Sequence, residues 1–88
     1  MHAVFLRASG LAIPPGAKIY AAYLTAKIAG PARATLYPAQ SPTEKPLVVI
    51  TAPPASTKGV QFPGGHLLDA GLYVALEGQA EGILIIWD

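Results

Sequence analysis

The chain has 88 residues, 52% hydrophobic and 12% charged, with a formal net charge of +1. The charged share is about half the usual roughly 25%, and Arg7, Lys18, Lys27, Arg33, Lys45 and Lys58 are scattered singly, which excludes the clustered basic face of a nucleic-acid binder. High hydrophobicity with low net charge excludes intrinsic disorder, and the absence of cysteine excludes disulfides, thiolate zinc sites and thiol catalysis.

Nine glycines and nine prolines punctuate the chain into short pieces rich in Val, Ile, Leu, Tyr and Phe, the pattern of strands bounded by turns. The first candidate strand is 2–8, within an N-terminal segment 1–10 expected as an arm or edge strand. Arg7 interrupts its apolar run, so no signal peptide is expected. The stretch 17–29 carries two patterns. Tyr20, Leu24 and Ile28 fall at helical spacing, whereas Tyr20, Ala22, Leu24, Ala26 and Ile28 share one face of a strand over 18–28; the strand is preferred and the helix stays open.

Residues 32–37 alternate cleanly, with Ala32, Ala34 and Leu36 opposite Arg33, Thr35 and Tyr37. Pro38 to Pro46 is the most polar stretch and reads as an exposed loop. Further strands are expected at 47–51, 58–62 and 66–69, the last two separated by a turn at Pro63-Gly64-Gly65. In 72–77, Leu72, Val74 and Leu76 oppose Tyr73, Ala75 and Glu77. The link Gly78-Gln79-Ala80-Glu81 then predicts an antiparallel hairpin with 82–87. That last strand is apolar on both faces and must be central or covered by a partner. Its run Ile83-Leu84-Ile85-Ile86-Trp87 is far shorter than the roughly 20 residues a membrane-spanning helix requires.

Short strands at regular spacing predict an all-β fold, a single small antiparallel β-sandwich of jelly-roll or immunoglobulin-like type with seven to eight strands. A domain of this size leaves much of its surface exposed. With so few polar side chains, part of that surface must be apolar, which marks an interaction surface. An oligomer or a component of a larger assembly is therefore expected.

The inventory for chemistry is thin. His66 follows Pro63-Gly64-Gly65 without a Gly-x-Ser-x-Gly nucleophile site, and a turn is the simpler account. The carboxylates Glu44, Asp69, Glu77, Glu81 and Asp88 show no metal or glycosidase spacing. Pro15-Gly16-Ala17-Lys18 and Ser56-Thr57-Lys58-Gly59 lack the full phosphate-loop pattern. No catalytic, cofactor-binding or metal-binding residue is assigned, and no enzyme activity is expected. The conspicuous group is aromatic: Tyr20, Tyr23, Tyr37, Tyr73 and Trp87, suited to a core, a protein interface or a carbohydrate platform.

One resemblance joins these features. Ile19-Tyr20-Ala21-Ala22-Tyr23-Leu24, Ala34-Thr35-Leu36-Tyr37, Val60-Gln61-Phe62-Pro63-Gly64-Gly65, Asp69-Ala70-Gly71-Leu72-Tyr73-Val74 and the closing Ile83-Leu84-Ile85-Ile86-Trp87 follow in an order that resembles small β-sandwich virion proteins of tailed bacteriophages. The resemblance covers about residues 15–88; the strand around Val4-Phe5-Leu6 departs from it and reads as an arm pairing with a neighbouring subunit. It implies a non-enzymatic capsid decoration or minor head protein, located in the virion after assembly in the host cytoplasm. The implied partners are the major capsid protein or other virion subunits and further copies of the chain in a symmetric homo-oligomer such as a trimer, with no direct nucleic-acid or membrane contact. Candidate interface residues are Val4, Phe5, Leu6, Tyr20, Tyr23, Tyr37, Tyr73 and Trp87, with the Pro38–Pro46 loop as a further contact surface. The alternatives are a phage neck or tail accessory protein and a carbohydrate- or host-surface-binding β module.

Overall fold

Alternating apolar residues fold as strands because each strand can bury one face, and the glycines and prolines between them place the turns. The computed structural model describes all 88 residues as eight strands and no helix. They are β1 (His2–Leu6), β2 (Gly10–Ile13), β3 (Ala17–Ala26), β4 (Ala32–Tyr37), β5 (Val48–Ala52), β6 (Thr57–Leu68), β7 (Leu72–Gly78) and β8 (Ala80–Trp87). One sheet has the order β1-β8-β3-β6 and the other β2-β7-β4-β5, and every pairing is antiparallel.

The pairings are nested. Strand β4 pairs with β5, β3 with β6, β2 with β7 and β1 with β8, as in one long hairpin whose tip is the loop between β4 and β5. Rolling that ribbon brings β8 beside β3 and β7 beside β4, which completes the two sheets. This is the eight-stranded jelly roll; an immunoglobulin arrangement would instead place its first, second, fourth and fifth strands together.

The core between the sheets is aliphatic. Ile19, Leu24, Ile83 and Ile85 from one sheet meet Ile13, Leu36, Ile50, Leu72 and Val74 from the other, with Leu68 closing one end. Ala17, Ala22, Ala26, Ala32, Ala34 and Ala52 fill the spaces between these larger groups. Each fully buried Leu or Ile contributes about 1.5–3 kcal/mol relative to an exposed position. The inward residues of β4 and β7 are those the alternation indicates, and β8 lies centrally between β1 and β3. Strand β3 is a strand rather than a helix.

Four local expectations are corrected. First, β7 and β8 form no hairpin: they lie in different sheets, joined by Gln79 alone. Gln79 N–H donates to the Pro31 carbonyl and the Gln79 carbonyl accepts from Lys27 N–H, so the link is held against the β3–β4 connection and the chain crosses between sheets. Secondly, 58–62 and 66–69 belong to one strand, β6, which bulges at Phe62–Gly65. Its register passes from Ala21 opposite Gln61 to Ile19 opposite His66, with Gly64 and Gly65 at φ of 78° and 83°.

Thirdly, the same irregularity turns Tyr20 away from the face it was expected to share with Ala22, Leu24 and Ala26; Ile28 lies beyond the strand and is exposed. Fourthly, β2 is a strand that the turn-rich sequence around Gly10 and Pro14-Pro15 concealed. Strand β1 is an edge strand on the protein's own β8. The radius of gyration, 11.9 Å, is close to the roughly 12 Å of a folded single domain of this length, so no arm reaches away from the body.

Candidate interaction surfaces

In an antiparallel sandwich each sheet turns one face to the core and one outward, and the outward face is ordinarily polar. Register identifies the outward residues of the β1-β8-β3-β6 sheet. Phe5, Leu84, Tyr23 and Gly59 form one cross-strand row. Ala3, Ile86, Ala21 and Gln61 form the next, and Gly82, Thr25 and Thr57 a third. None of these eleven residues is charged. Charge enters only around these rows: the Arg7 guanidinium lies 5.7 Å from the centroid of the Phe5 ring, and at the opposite end Lys18 lies beside Tyr20 while Asp88, its backbone partner, pairs with the N-terminal ammonium.

Glycines shape this face. A Cβ on Gly59 would overlap the Tyr23 ring, one on Gly82 would overlap the Phe5 ring, and one on Gly65 would come within 3.0 Å of the Tyr20 ring. Each aromatic therefore lies across a neighbouring strand at a position with no side chain. Such aromatic–glycine pairs cover otherwise bare backbone and flatten the outer surface. Gln61 donates from Nε2 to the Tyr23 hydroxyl at 3.3 Å, and the Thr25 and Thr57 hydroxyls lie 2.9 Å apart. The few polar groups here are thus partly occupied with one another.

The opposite outer face is mixed. Leu11, Tyr73 and Tyr37 form a row at one end, with the two tyrosine rings 6.5 Å apart. Ala75, Thr35 and Val49 follow, and then Glu77, Arg33 and Thr51. Leu11 and Val49 are 56% and 47% exposed, against 44% for Phe5. Both faces carry apolar area; on this one a charged pair, Glu77 and Arg33, sits in the cross-strand rows, whereas on the first sheet charge is confined to Lys18, Asp88 and the N-terminus at one end and Arg7 at the rim.

The eight candidate residues are not brought together. Phe5, Tyr20 and Tyr23 stand on the outer side of the first sheet, and Tyr37 and Tyr73 on that of the second. Val4 and Leu6 point inward and pack against the core. Trp87 is half-buried at the end of β8, stacked on His2 with ring centroids 4.5 Å apart, and its indole N–H has no hydrogen-bond partner. The Pro38–Pro46 loop is largely exposed. Residues that the sequence reasoning did not single out include Leu11, hidden with β2, and Gly59 and Gly82, whose role depends on cross-strand register.

No three His, Asp or Glu side chains cluster in a way that could hold a metal ion. His66 lies beside Phe62, ring centroids 6.0 Å apart, and no hydrogen bond links its imidazole to a serine or a carboxylate. The two surface depressions lie elsewhere: one includes Arg33, Thr51 and Glu77, the other Leu11, Pro14 and Gln40.

Fold and surface thus define a small jelly-roll sandwich with one outer face whose central rows are aromatic, aliphatic and uncharged. Comparison with protein-family models, curated proteins and solved structures finds no significant match.

Proposed function

We propose that this chain is a non-enzymatic structural protein of a tailed-phage virion that binds and stabilises the capsid as a decoration or minor head protein, acting as a symmetric oligomer. The observation that supports it most is the uncharged centre of the outer face of β1-β8-β3-β6, an apolar sheet surface that suits a subunit embedded among others better than a free-standing domain. The resemblance of residues 15–88 to phage β-sandwich virion proteins supplies the biological setting, and viral capsid domains are among the proteins built on jelly rolls. Because that fold also serves other functions, the proposal leans on the surface rather than on the topology.

In this role the protein works by mass action. Contacts made only with the assembled shell favour that state by an amount that grows with the ratio of free concentration to Kd. The test is co-sedimentation of the purified protein with shells that lack it, together with the shells' disruption temperature. Binding with a raised disruption temperature is expected, and no binding refutes the decoration role.

A second reading, a carbohydrate- or host-surface-binding module, is favoured by the Phe5 and Tyr23 rings lying across glycines, as a stacking platform would. Signal on a glycan array that is lost in Tyr23→Ala would replace the first proposal with this one. The same surface would also serve a neck or tail accessory protein, distinguished by which purified virion part retains the chain.

A further inference from the structure

We propose that the outer face of β1-β8-β3-β6 is a self-association surface and that its occupant is a second copy of this chain, docked face to face about a twofold axis passing close to Leu84 and Tyr23. This rests on the proposed function's symmetric oligomer and deepens it by naming the face and the symmetry; a monomeric chain that still co-sediments with shells would remove the self-association and leave capsid binding standing.

Size is the first ground. The molecule measures 36 × 25 × 17 Å, and two sheets stacked about 10 Å apart make the shortest dimension the stacking direction. Each broad face of such a slab is nearly a quarter of the surface, roughly 1,000 Å² of the total 4767 Å². A stable pairwise interface needs about 800 Å² per partner. One broad face of the molecule is therefore large enough.

Charge is the second. Rows Ala3–Ile86–Ala21–Gln61, Phe5–Leu84–Tyr23–Gly59 and Gly82–Thr25–Thr57 contain no ionised group, so a twofold operation sets no like charges against each other over the centre of the face. A partner recognised by charge finds nothing to pair with there. The opposite face carries Arg33 and Glu77 in adjacent strands, and a twofold axis there would have to accommodate both.

Shape is the third. Phe5, Tyr23 and Tyr20 lie over Gly82, Gly59 and Gly65, giving a low-relief surface with the half-buried Leu84 and Ile86 side chains on its central strand. Sheet-on-sheet contact at about 10 Å is already how this protein packs its own interior. A flat self-complementary face produces an isologous pair, closed by its own symmetry.

Sedimentation equilibrium from micromolar to millimolar concentration tests the proposal. The wild-type chain is expected to reach twice the monomer mass, and Leu84→Glu to halve that mass. Because Leu84 is half-buried, the double variant Ala3→Arg/Gln61→Arg provides a second route: both side chains are exposed on the flanks of this face and neither touches the core. It too is expected to be monomeric with an unchanged far-UV spectrum. Leu11→Glu, on the other face, is expected to remain a dimer. A wild-type chain that stays monomeric throughout, a trimer, a folded double variant that retains the dimer, or a dimer lost only in Leu11→Glu would overturn the assignment.

Discussion

Replacing Gly82 with alanine tests whether the aromatic–glycine pairing sets the energetics of the outer face. Propensity alone favours the substitution, since glycine inside a regular element costs about 0.5–1 kcal/mol relative to alanine. The structure reverses the sign. The new Cβ would overlap the Phe5 ring and come within 2.8 Å of the Leu6 carbonyl oxygen. Phe5 is 44% exposed, so displacing it forfeits roughly half of the 1.5–3 kcal/mol that full burial supplies, about 1 kcal/mol. The carbonyl cannot swing aside; β1 must shift away from β8, adding about 1 kcal/mol of overpacking. Net of propensity, Gly82→Ala should destabilise by about 1 kcal/mol. Urea unfolding followed by Trp87 fluorescence should show this as a midpoint lowered by roughly 0.5–1 M. In a Phe5→Ala background the ring contribution is already gone, so a double-mutant cycle should give a coupling of about 1 kcal/mol. A stabilised Gly82→Ala, or no coupling to Phe5, would refute the reasoning.

Gly78→Ala should cost more, about 2–4 kcal/mol, because φ is +72° and the added Cβ would sit 2.5 Å from the Pro31 carbonyl oxygen; a thermal melt checks it. Ala55→Gly should be the rare stabilising change, by up to about 1 kcal/mol, since Ala55 is the single non-glycine residue at positive φ, +59°. Leu36→Ala, at a fully buried site, should lose about 2–5 kcal/mol, measured by the same urea titration. Refolding from urea should be slow, in the millisecond-to-second range, because β1·β8 and β2·β7 close nearly the whole chain; microsecond refolding would contradict the nested topology.

The fold class was legible because it rests on period-two alternation, and Ala32 to Tyr37 and Leu72 to Glu77 carry that signal unambiguously. What could not be read was which strand pairs with which. The link after Leu72–Glu77 has the composition of a hairpin turn, yet its fate is decided by the Pro31 and Lys27 backbone groups that hydrogen-bond Gln79, nearly fifty residues earlier in the chain. Pro63-Gly64-Gly65 has the composition of a turn too. Here it is a bulge within β6, tolerated because β6 is an edge strand whose outer side needs no partner. The candidate aromatics were visible as a group, but their division between two outer faces and one end of the molecule follows from sheet membership, which no local pattern encodes. Glycines 59 and 82 were read as punctuation; their cross-strand role appears only once register sets Gly59 opposite Tyr23 and places Gly82 under Phe5.

The same geometry bears on how this apolar chain could meet a neighbour at a sheet edge or on a sheet face. One free edge of the first sheet, β6, is blunted by its bulge at Phe62–Gly65, a device that discourages strand addition. Contact through the centre of the broad face carries no such obstacle, because the rings lying across glycines leave it low in relief and its central rows hold no charged residue. Under the self-association proposed above, copies meet by faces rather than by extension of edges, and β1 stays paired with the protein's own β8. The distinction is measurable: a proline at Val4, whose backbone by alternation from the Lys18–Asp88 pair faces β8, should weaken β1–β8 pairing and lower stability, whereas the proposed face-to-face association should respond chiefly to Leu84 and Ile86.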